Sequence, residues 1–101
     1  MNSTSVKESK FEQDFCRRLR NVDKDVIVVK LTGISGIPDR IVLYHDKFVL
    51  LEFKRSKNAS HRPLQDWYID HFDKWGVARF VYPENGEEIF SEVLDWFGLS
   101  R

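Results

Sequence analysis

The sequence predicts an α/β domain in which helices flank a mixed β-sheet, in the order α-β-β-β-α-β-α. Apolar residues recur at helical spacing near both ends of the chain, and short β-rich runs between them alternate with glycine-containing or polar turns. One helical segment separates the last two of these runs, which predicts a βαβ unit with parallel strands and a right-handed crossover. At 101 residues, the chain is expected to form one domain spanning residues 1–101.

The first helix is predicted over residues 5–21. Ser5 and Glu8 have the spacing of a capping box, which supplies hydrogen-bond acceptors to the first amides of a helix. The apolar side chains that follow form one helical stripe: Phe11, Phe15, Leu19 and Val22.

Three strands are predicted next, over residues 26–31, 40–44 and 48–53, because these runs are rich in β-branched and aromatic side chains. Gly33 and Gly36 mark the stretch between the first two strands as a loop. His45 and Asp46 are expected to form the turn between the second and third strands.

The second helix is predicted from Ser60, a capping residue, to about residue 75, with Pro63 tolerated in its first turn. The fourth strand is expected over residues 77–82. A last helix should begin at Asn85 or Gly86 and run through residue 97 to the helix-ending Gly98.

Composition narrows the class of protein. Sixteen basic residues balance sixteen acidic ones, which does not favour a passive nucleic-acid coat. The single cysteine, Cys16, predicts no internal disulfide and favours a reducing compartment. No apolar run approaches the roughly 20 residues that a membrane span needs. The expectation is a cytoplasmic protein with no membrane partner, without a signal peptide.

Two acidic residues stand beside apolar strands. Glu52 interrupts the apolar third strand, where an ionised carboxylate is costly unless a cation meets it. If His45 and Asp46 form a two-residue turn, Tyr44 pairs with Lys47, and the same register puts Asp39 directly opposite Glu52, with Cβ atoms roughly 4.5–5.5 Å apart. Two carboxylates at that distance repel, and a divalent cation reverses the sign of the interaction.

Lys54 follows Glu52 by two residues and is therefore expected on the same face of the strand. Two alternatives stay open at this point. His-Asp is not a favoured hairpin turn, and a bulge would shift the register by one residue. The acids and Lys54 could also form a simple ion pair on an exposed strand.

These residues resemble the signature of the PD-(D/E)xK nuclease superfamily, with Pro38-Asp39 and Glu52-Phe53-Lys54 as its two parts. More narrowly, the chain resembles the VRR-NUC (virus-type replication-repair nuclease) domain of the stand-alone phage and bacterial type. The matching segments are residues 36–40, 51–54 and 62–65, together with Gly76. The resemblance implies a restriction-endonuclease-like fold and a DNA phosphodiesterase that uses Mg²⁺ or Mn²⁺.

The resemblance also implies roles for individual residues. Asp39 and Glu52 would bind the metal, with the backbone carbonyl of Phe53 as a third ligand, and Lys54 would orient or help to deprotonate the attacking water. Such a ligand set suits Mg²⁺, which prefers oxygen ligands and retains several waters.

Two further residues of the active site are expected on the helices. The family tends to carry an acidic residue on helix one, and Glu8 is favoured as that catalytic and metal-binding residue, with Glu12 as the fallback. Glu8 can instead be only the capping-box glutamate. Gln65 matches the family's helix-two glutamine and is expected to bond to the site or to a phosphate, or else to lie on the helix surface.

Basic residues close to the predicted site are candidate phosphate contacts, because Lys and Arg supply most of the affinity for a DNA backbone. The alternative interpretation is that these residues are solvated surface charges without a role in binding. The candidates are Lys30, Arg55, Lys57 and Arg62.

The last helix carries apolar residues around much of its circumference, which predicts a subunit interface and a homodimer. A two-fold dimer presents two active sites, as paired cuts in a Holliday junction require, so a junction resolvase is the leading expectation. Cleavage of flaps or other branched or duplex DNA is the alternative within the same chemistry. A catalytically silent module that binds DNA or protein is the alternative of a different class.

Overall fold

The elements of the chain follow the predicted order in a computed structural model that describes residues 9–99. The predicted fold class is confirmed, and the boundaries of most elements agree with the sequence pattern to within one or two residues. The elements are α1 (Lys10–Val22), β1 (Ile27–Lys30), β2 (Arg40–Tyr44), β3 (Lys47–Phe53), α2 (Pro63–Asp73), β4 (Val77–Val81) and α3 (Gly86–Phe97).

The four strands form one mixed sheet in the order β1-β2-β3-β4. The first three strands are antiparallel, and β3 and β4 are parallel, which confirms the predicted pairing of the βαβ unit. Tyr44 lies opposite Lys47, so the turn is the predicted two-residue one. His45 adopts a φ of 55°, the positive value that tight hairpin turns require at one or both loop residues.

Helices cover the two faces of the sheet unequally. α1 and α3 pack on one face over the larger apolar cluster, which includes Phe15, Leu51 and Val93. α2 packs on the other face over a smaller cluster of Leu50, Ile69 and Ala78. Because side chains alternate along a strand, Leu51 points towards α1 and α3, whereas the neighbouring Leu50 points towards α2.

Two helix starts differ from the prediction. α1 begins at Lys10, after Ser9, whose hydroxyl accepts a hydrogen bond from the backbone N–H of Glu12 at 3.0 Å. The predicted capping box of Ser5 and Glu8 lies outside the described residues. α2 begins at Pro63 rather than at Ser60, because proline is well suited to the first helical position and its ring disfavours helical backbone at the preceding residue.

α3 does not present the apolar interface that its composition predicts. Five of its apolar residues are buried in the core of the chain itself: Ile89, Phe90, Val93, Leu94 and Phe97. The sixth, Trp96, is 36% exposed and donates its indole N–H to the carbonyl of Phe48 at 3.1 Å. The helix is buried on more than one side because it packs against both the sheet and α1. Its apolar surface therefore gives no evidence for a dimer.

Within residues 9–99, no helix has the combination of length and hydropathy that a membrane crossing demands.

Candidate active site

The predicted site residues of the hairpin lie together at one end of β2 and β3. The predicted register is confirmed along the ladder as far as Arg40 opposite Leu51. Asp39 and Glu52 are one position beyond that last pair, where the ladder ends. There the Asp39 carboxylate accepts a hydrogen bond from the backbone N–H of Phe53 at 2.9 Å. This bond fixes the carboxylate at the end of the hairpin.

A cleft of about 360 Å³ opens at this end of the sheet. The N-terminal turns of α1 and α2 and the loop that follows β3 form its walls. It brings together ten residues that are far apart in the sequence: Ser9, Glu12, Lys30, Asp39, Glu52, Phe53, Lys54, Arg55, Arg62 and Gln65.

Gln65 joins Glu52 of β3 to Lys54, which directly follows the strand. Its amide nitrogen donates to Glu52 Oε2 at 3.0 Å, and its amide oxygen accepts from Lys54 Nζ at 2.6 Å. The same oxygen accepts from the backbone N–H of Arg62, at the start of α2, at 3.0 Å. Gln65 is buried and bonds to the site as expected, so the alternative of a helix-surface amide is wrong.

Lys54 is held from two sides. Besides Gln65, its ammonium group donates to the carbonyl oxygen of Ser60 at 3.2 Å, and it lies 3.9 Å from Glu52 Oε2. Glu52 and Lys54 share the α2 face of the sheet, as their spacing predicts. Phe53 points to the other face, where its ring contacts Phe15 edge-on. The hydrogen bonds to Gln65 and Ser60 keep the Lys54 ammonium group beside the carboxylates of Asp39 and Glu52.

The electrostatics of the cleft disfavour two bare carboxylates. Burial and the neighbouring charge of Asp39 raise the pKa of Glu52 from its ordinary 4.5 to about 7, against the opposing effect of Lys54. Burial also raises the pKa of Asp39, although the Phe53 N–H and the charges of Lys54, Arg40 and Lys30 act to lower it. Such raised pKa values mark groups whose ionised forms lack sufficient compensation in the metal-free protein.

The donor set fits a hard divalent cation. The buried carboxylate of Glu52 and the half-buried carboxylate of Asp39 line one cleft, and a cation between them would relieve the burial and repulsion that raise their pKa values. Among residues 9–99, no three His, Cys, Asp or Glu side chains are grouped to hold a metal ion. A cation would therefore rely on Asp39 and Glu52, with backbone oxygen and water completing its shell.

The acidic residues of helix one have different outcomes. Glu8 lies outside the described residues. Glu12, the fallback candidate, is buried and lines the cleft, where its charge contributes to the raised pKa of Glu52. Its carboxylate accepts a hydrogen bond from Arg40 Nε at 2.9 Å.

Arg40 and Ser9 are the residues near the site to which the sequence pattern assigned no role. Arg40 opens an apolar strand, and a charged residue there could have been matched with an acid on helix one. Ser9 carried no such signal, because its capping role depends on where the helix begins.

The basic candidates divide into two groups. Lys30, Arg55 and Arg62 line the cleft, and all three are exposed to solvent. Lys57 does not line it, and its backbone N–H donates to Glu84 Oε1 at 3.3 Å on the far side of the loop. The structure thus places three of the four cationic side chains at the rim of the cleft.

Comparison with other proteins identifies the fold. No protein-family model and no curated protein sequence matches the chain. Three chains of solved structures match it. One of them, described as a "VRR_NUC domain", superimposes with a TM-score of 0.68 and 23% sequence identity, covering 86% of this chain and 97% of that chain. The chain therefore has the fold of the VRR-NUC domain.

Proposed function

We propose that this chain is a divalent-cation-dependent DNA endonuclease. The observation that carries the proposal is the convergence of Asp39, Glu52 and Lys54 in one cleft with cationic residues at its rim. Support also comes from the fold that the chain shares with a VRR-NUC domain. The roles of Asp39, Glu52, Phe53 and Lys54 are those that the signature implies, and Glu12 is the helix-one acid that lines the cleft without being a metal ligand.

Each side chain has a chemical task in this proposal. A bound Mg²⁺ or Mn²⁺ would activate water and neutralise charge on the scissile phosphate. Asp39 and Glu52 would bind the cation, with the Phe53 carbonyl as a further ligand. Lys54 would position the attacking water and stabilise the developing negative charge. Gln65 holds Lys54 and Glu52 in their mutual arrangement.

The rim provides the DNA contacts. Lys30, Arg55 and Arg62 would bind phosphates on either side of the scissile bond, and Lys57 would contribute at longer range. Such contacts carry no base specificity, which is consistent with a nuclease that selects DNA by structure rather than by sequence.

The substrate we propose is branched DNA, and specifically a four-way junction cut by a homodimer. Because five of the six apolar residues of α3 are buried, a dimer contact would use other apolar surface, such as the exposed Trp67 of α2 and Trp75, which lies just beyond the end of that helix. Flaps and other branched or duplex DNA are the alternative substrates. A cytoplasmic location is part of the same proposal.

Cleavage of labelled junction, flap and linear duplex DNA, with Mg²⁺, Mn²⁺ or EDTA, tests this function. We expect cleavage that requires the metal and is lost in Asp39→Asn and Lys54→Met. Asp46→Asn and Lys47→Met are matched controls, because these residues lie at the opposite end of the same hairpin. Activity that survives EDTA or Asp39→Asn would refute the mechanism, whereas binding of DNA without cleavage under any of these conditions would favour the silent binding module.

A plasmid that extrudes a cruciform separates the substrate proposals. Paired cuts by a dimer convert the supercoiled plasmid directly to the linear form, whereas independent cuts accumulate nicked circles. Nicked circles together with faster cutting of flaps would replace the resolvase assignment by that of a flap nuclease.

A further inference from the structure

A buried ion pair joins α1 to β2 directly behind the candidate site. Arg40 Nε donates to Glu12 Oε2 at 2.9 Å, and the two residues are only 5% and 8% exposed. Both charges lie on the sheet face that is otherwise packed with apolar side chains, including Phe15 and Leu51. Desolvation of two charges offsets most of their attraction, so an apolar pair would serve the packing at least as well. The pair is therefore weak evidence for a stabilising contact, and its position has to be considered.

The position of the pair points to the cleft. Glu12 lines it together with Asp39 and Glu52, and Arg40 directly follows Asp39 on the chain. Neither Glu12 nor any other acidic residue of the described chain completes a three-carboxylate cluster there. Glu12 therefore lies at the wall of the cleft without sharing one metal-binding group with Asp39 and Glu52.

We propose that Arg40 is a positioning residue that holds Glu12 at the cleft wall, where the Glu12 charge strengthens cation binding by Asp39 and Glu52. This inference rests on the proposed function. Arginine suits the task because its guanidinium is planar and its Nε–H has a fixed direction, so it sets the orientation of the carboxylate. A lysine would keep the charge and lose that direction.

Calorimetric titration with Mn²⁺, without DNA, tests the inference independently of cleavage. We expect Glu12→Gln and Arg40→Lys each to weaken Mn²⁺ binding by about tenfold, the lower range for residues that orient metal ligands. The double variant should bind no more weakly than Glu12→Gln, because Arg40 acts through Glu12. Arg79→Lys is the control, since Arg79 pairs with Glu92 at another part of the surface.

A second double variant keeps the proposal testable if the single variants fail to fold. Glu12→Leu with Arg40→Met replaces the pair by apolar side chains, a change that usually preserves folding. A thermal melt without metal should show a folded protein, and its Mn²⁺ affinity should remain below that of the wild type.

Three results would contradict this proposal or a part of it. Unchanged Mn²⁺ affinity in both single variants would reduce the pair to a structural contact and overturn the inference. Additive losses in the double variant would overturn the claim that Arg40 acts through Glu12. Absence of Mn²⁺ binding in the wild type, or binding unaffected by Asp39→Asn, would overturn the cation site of the proposed function itself, and this inference with it.

Discussion

Gln65 shows how much of the candidate site depends on a single uncharged residue. It lies in the first turn of α2, and its amide satisfies a carboxylate with one end and an ammonium group with the other. Both partners are largely enclosed, so an apolar side chain at this position would leave two polar groups in the cleft without this partner. The amide thus connects the hairpin to the helix.

Gln65→Met should slow single-turnover cleavage by about 10- to 100-fold, the range found for residues that orient the groups around a metal. Stability should fall by only about 1–3 kcal/mol, since methionine fills a similar volume. Gln13→Met, at an exposed position of α1, is the matched control and should cleave as the wild type does. A wild-type rate in Gln65→Met would contradict the positioning role.

Glu52 should make the stability of the metal-free protein depend on pH. Its pKa is about 7 in the folded protein and near 4.5 in the unfolded chain, so the folded state binds this proton more tightly. The resulting stability is present below pH 4.5 and is lost as the pH rises through 7, by up to about 3 kcal/mol. The raised pKa of Asp39 acts in the same direction.

Urea unfolding at pH 5 and pH 8 measures this effect. The free energy of unfolding should fall between the two values in the wild type and change less in Glu52→Gln, which has no proton to lose. Mg²⁺ at pH 8 should recover the loss, because a cation replaces the proton. An equal pH dependence in both proteins would assign the effect to other groups.

At the scale of elements, the loop between β1 and β2 holds the start of α2 in place. Gly36 has a φ of +84°, and a Cβ atom there would lie 2.5 Å from Leu64 Cβ and 3.3 Å from the backbone nitrogen of Gln65. Backbone atoms of a helix cannot move aside cheaply. The loop and the first turn of α2 therefore pack without room for a methyl group.

Gly36→Ala should cost about 1 kcal/mol for the positive φ and a further 1–3 kcal/mol for the contact with α2. It should also reduce cleavage, because displacing the helix start displaces Gln65. Gly33→Ala separates the cost of the positive φ from the cost of the contact, since Gly33 has a φ of +95° and nothing within 4 Å of an added Cβ. Equal losses of stability in urea unfolding would show that the contact contributes nothing.

The sequence was most informative where local rules act. β-Branched runs located the strands, and the two-residue turn at His45 gave the hairpin register that puts Asp39 near Glu52. Alternation along β3 put Glu52 and Lys54 on one face. The start of α2 was wrong because two local signals, Ser60 and Pro63, competed and the backbone restriction near proline decided it.

Contacts between distant elements were beyond the reach of these rules. The pairing of Glu12 with Arg40 depends on how α1 lies across the sheet, and no spacing within either segment specifies that. The same holds for α3, whose burial follows from its contact with α1 as well as with the sheet. The composition of α3 predicted the apolar character of the helix correctly, but the prediction that this apolar surface is exposed was wrong.

At the scale of the whole molecule, the apolar surface is not where the sequence pattern located it. The most exposed large apolar side chains of the described residues include Trp67 of α2, at 53%, Trp75 just beyond the end of α2, at 61%, and Ile27 of the edge strand β1, at 55%. Trp67 and Trp75 both contact the ring of His71, so they form one aromatic stripe along the helix. A mutation in α3 should accordingly affect folding rather than assembly.

Leu94→Ala tests this distribution. Leu94 is buried in the core, and its truncation should cost about 2–5 kcal/mol of stability without changing the mass measured by light scattering. Trp75→Ser is the counterpart on the exposed stripe and should leave stability nearly unchanged. If Leu94→Ala is still folded but has a lower mass by light scattering than the wild type, α3 would be a subunit interface after all.

The hairpin that carries the candidate site is formed by the two inner strands of the sheet. Asp39 accepts from the Phe53 N–H, and the Lys54 N–H donates to the carbonyl of Val81 on β4 at 2.8 Å. Both amides are hydrogen-bonded at the end of an inner strand, so their hydrogen exchange should be slow without a bound cation. The backbone of the site would then be as rigid before a cation arrives as after it.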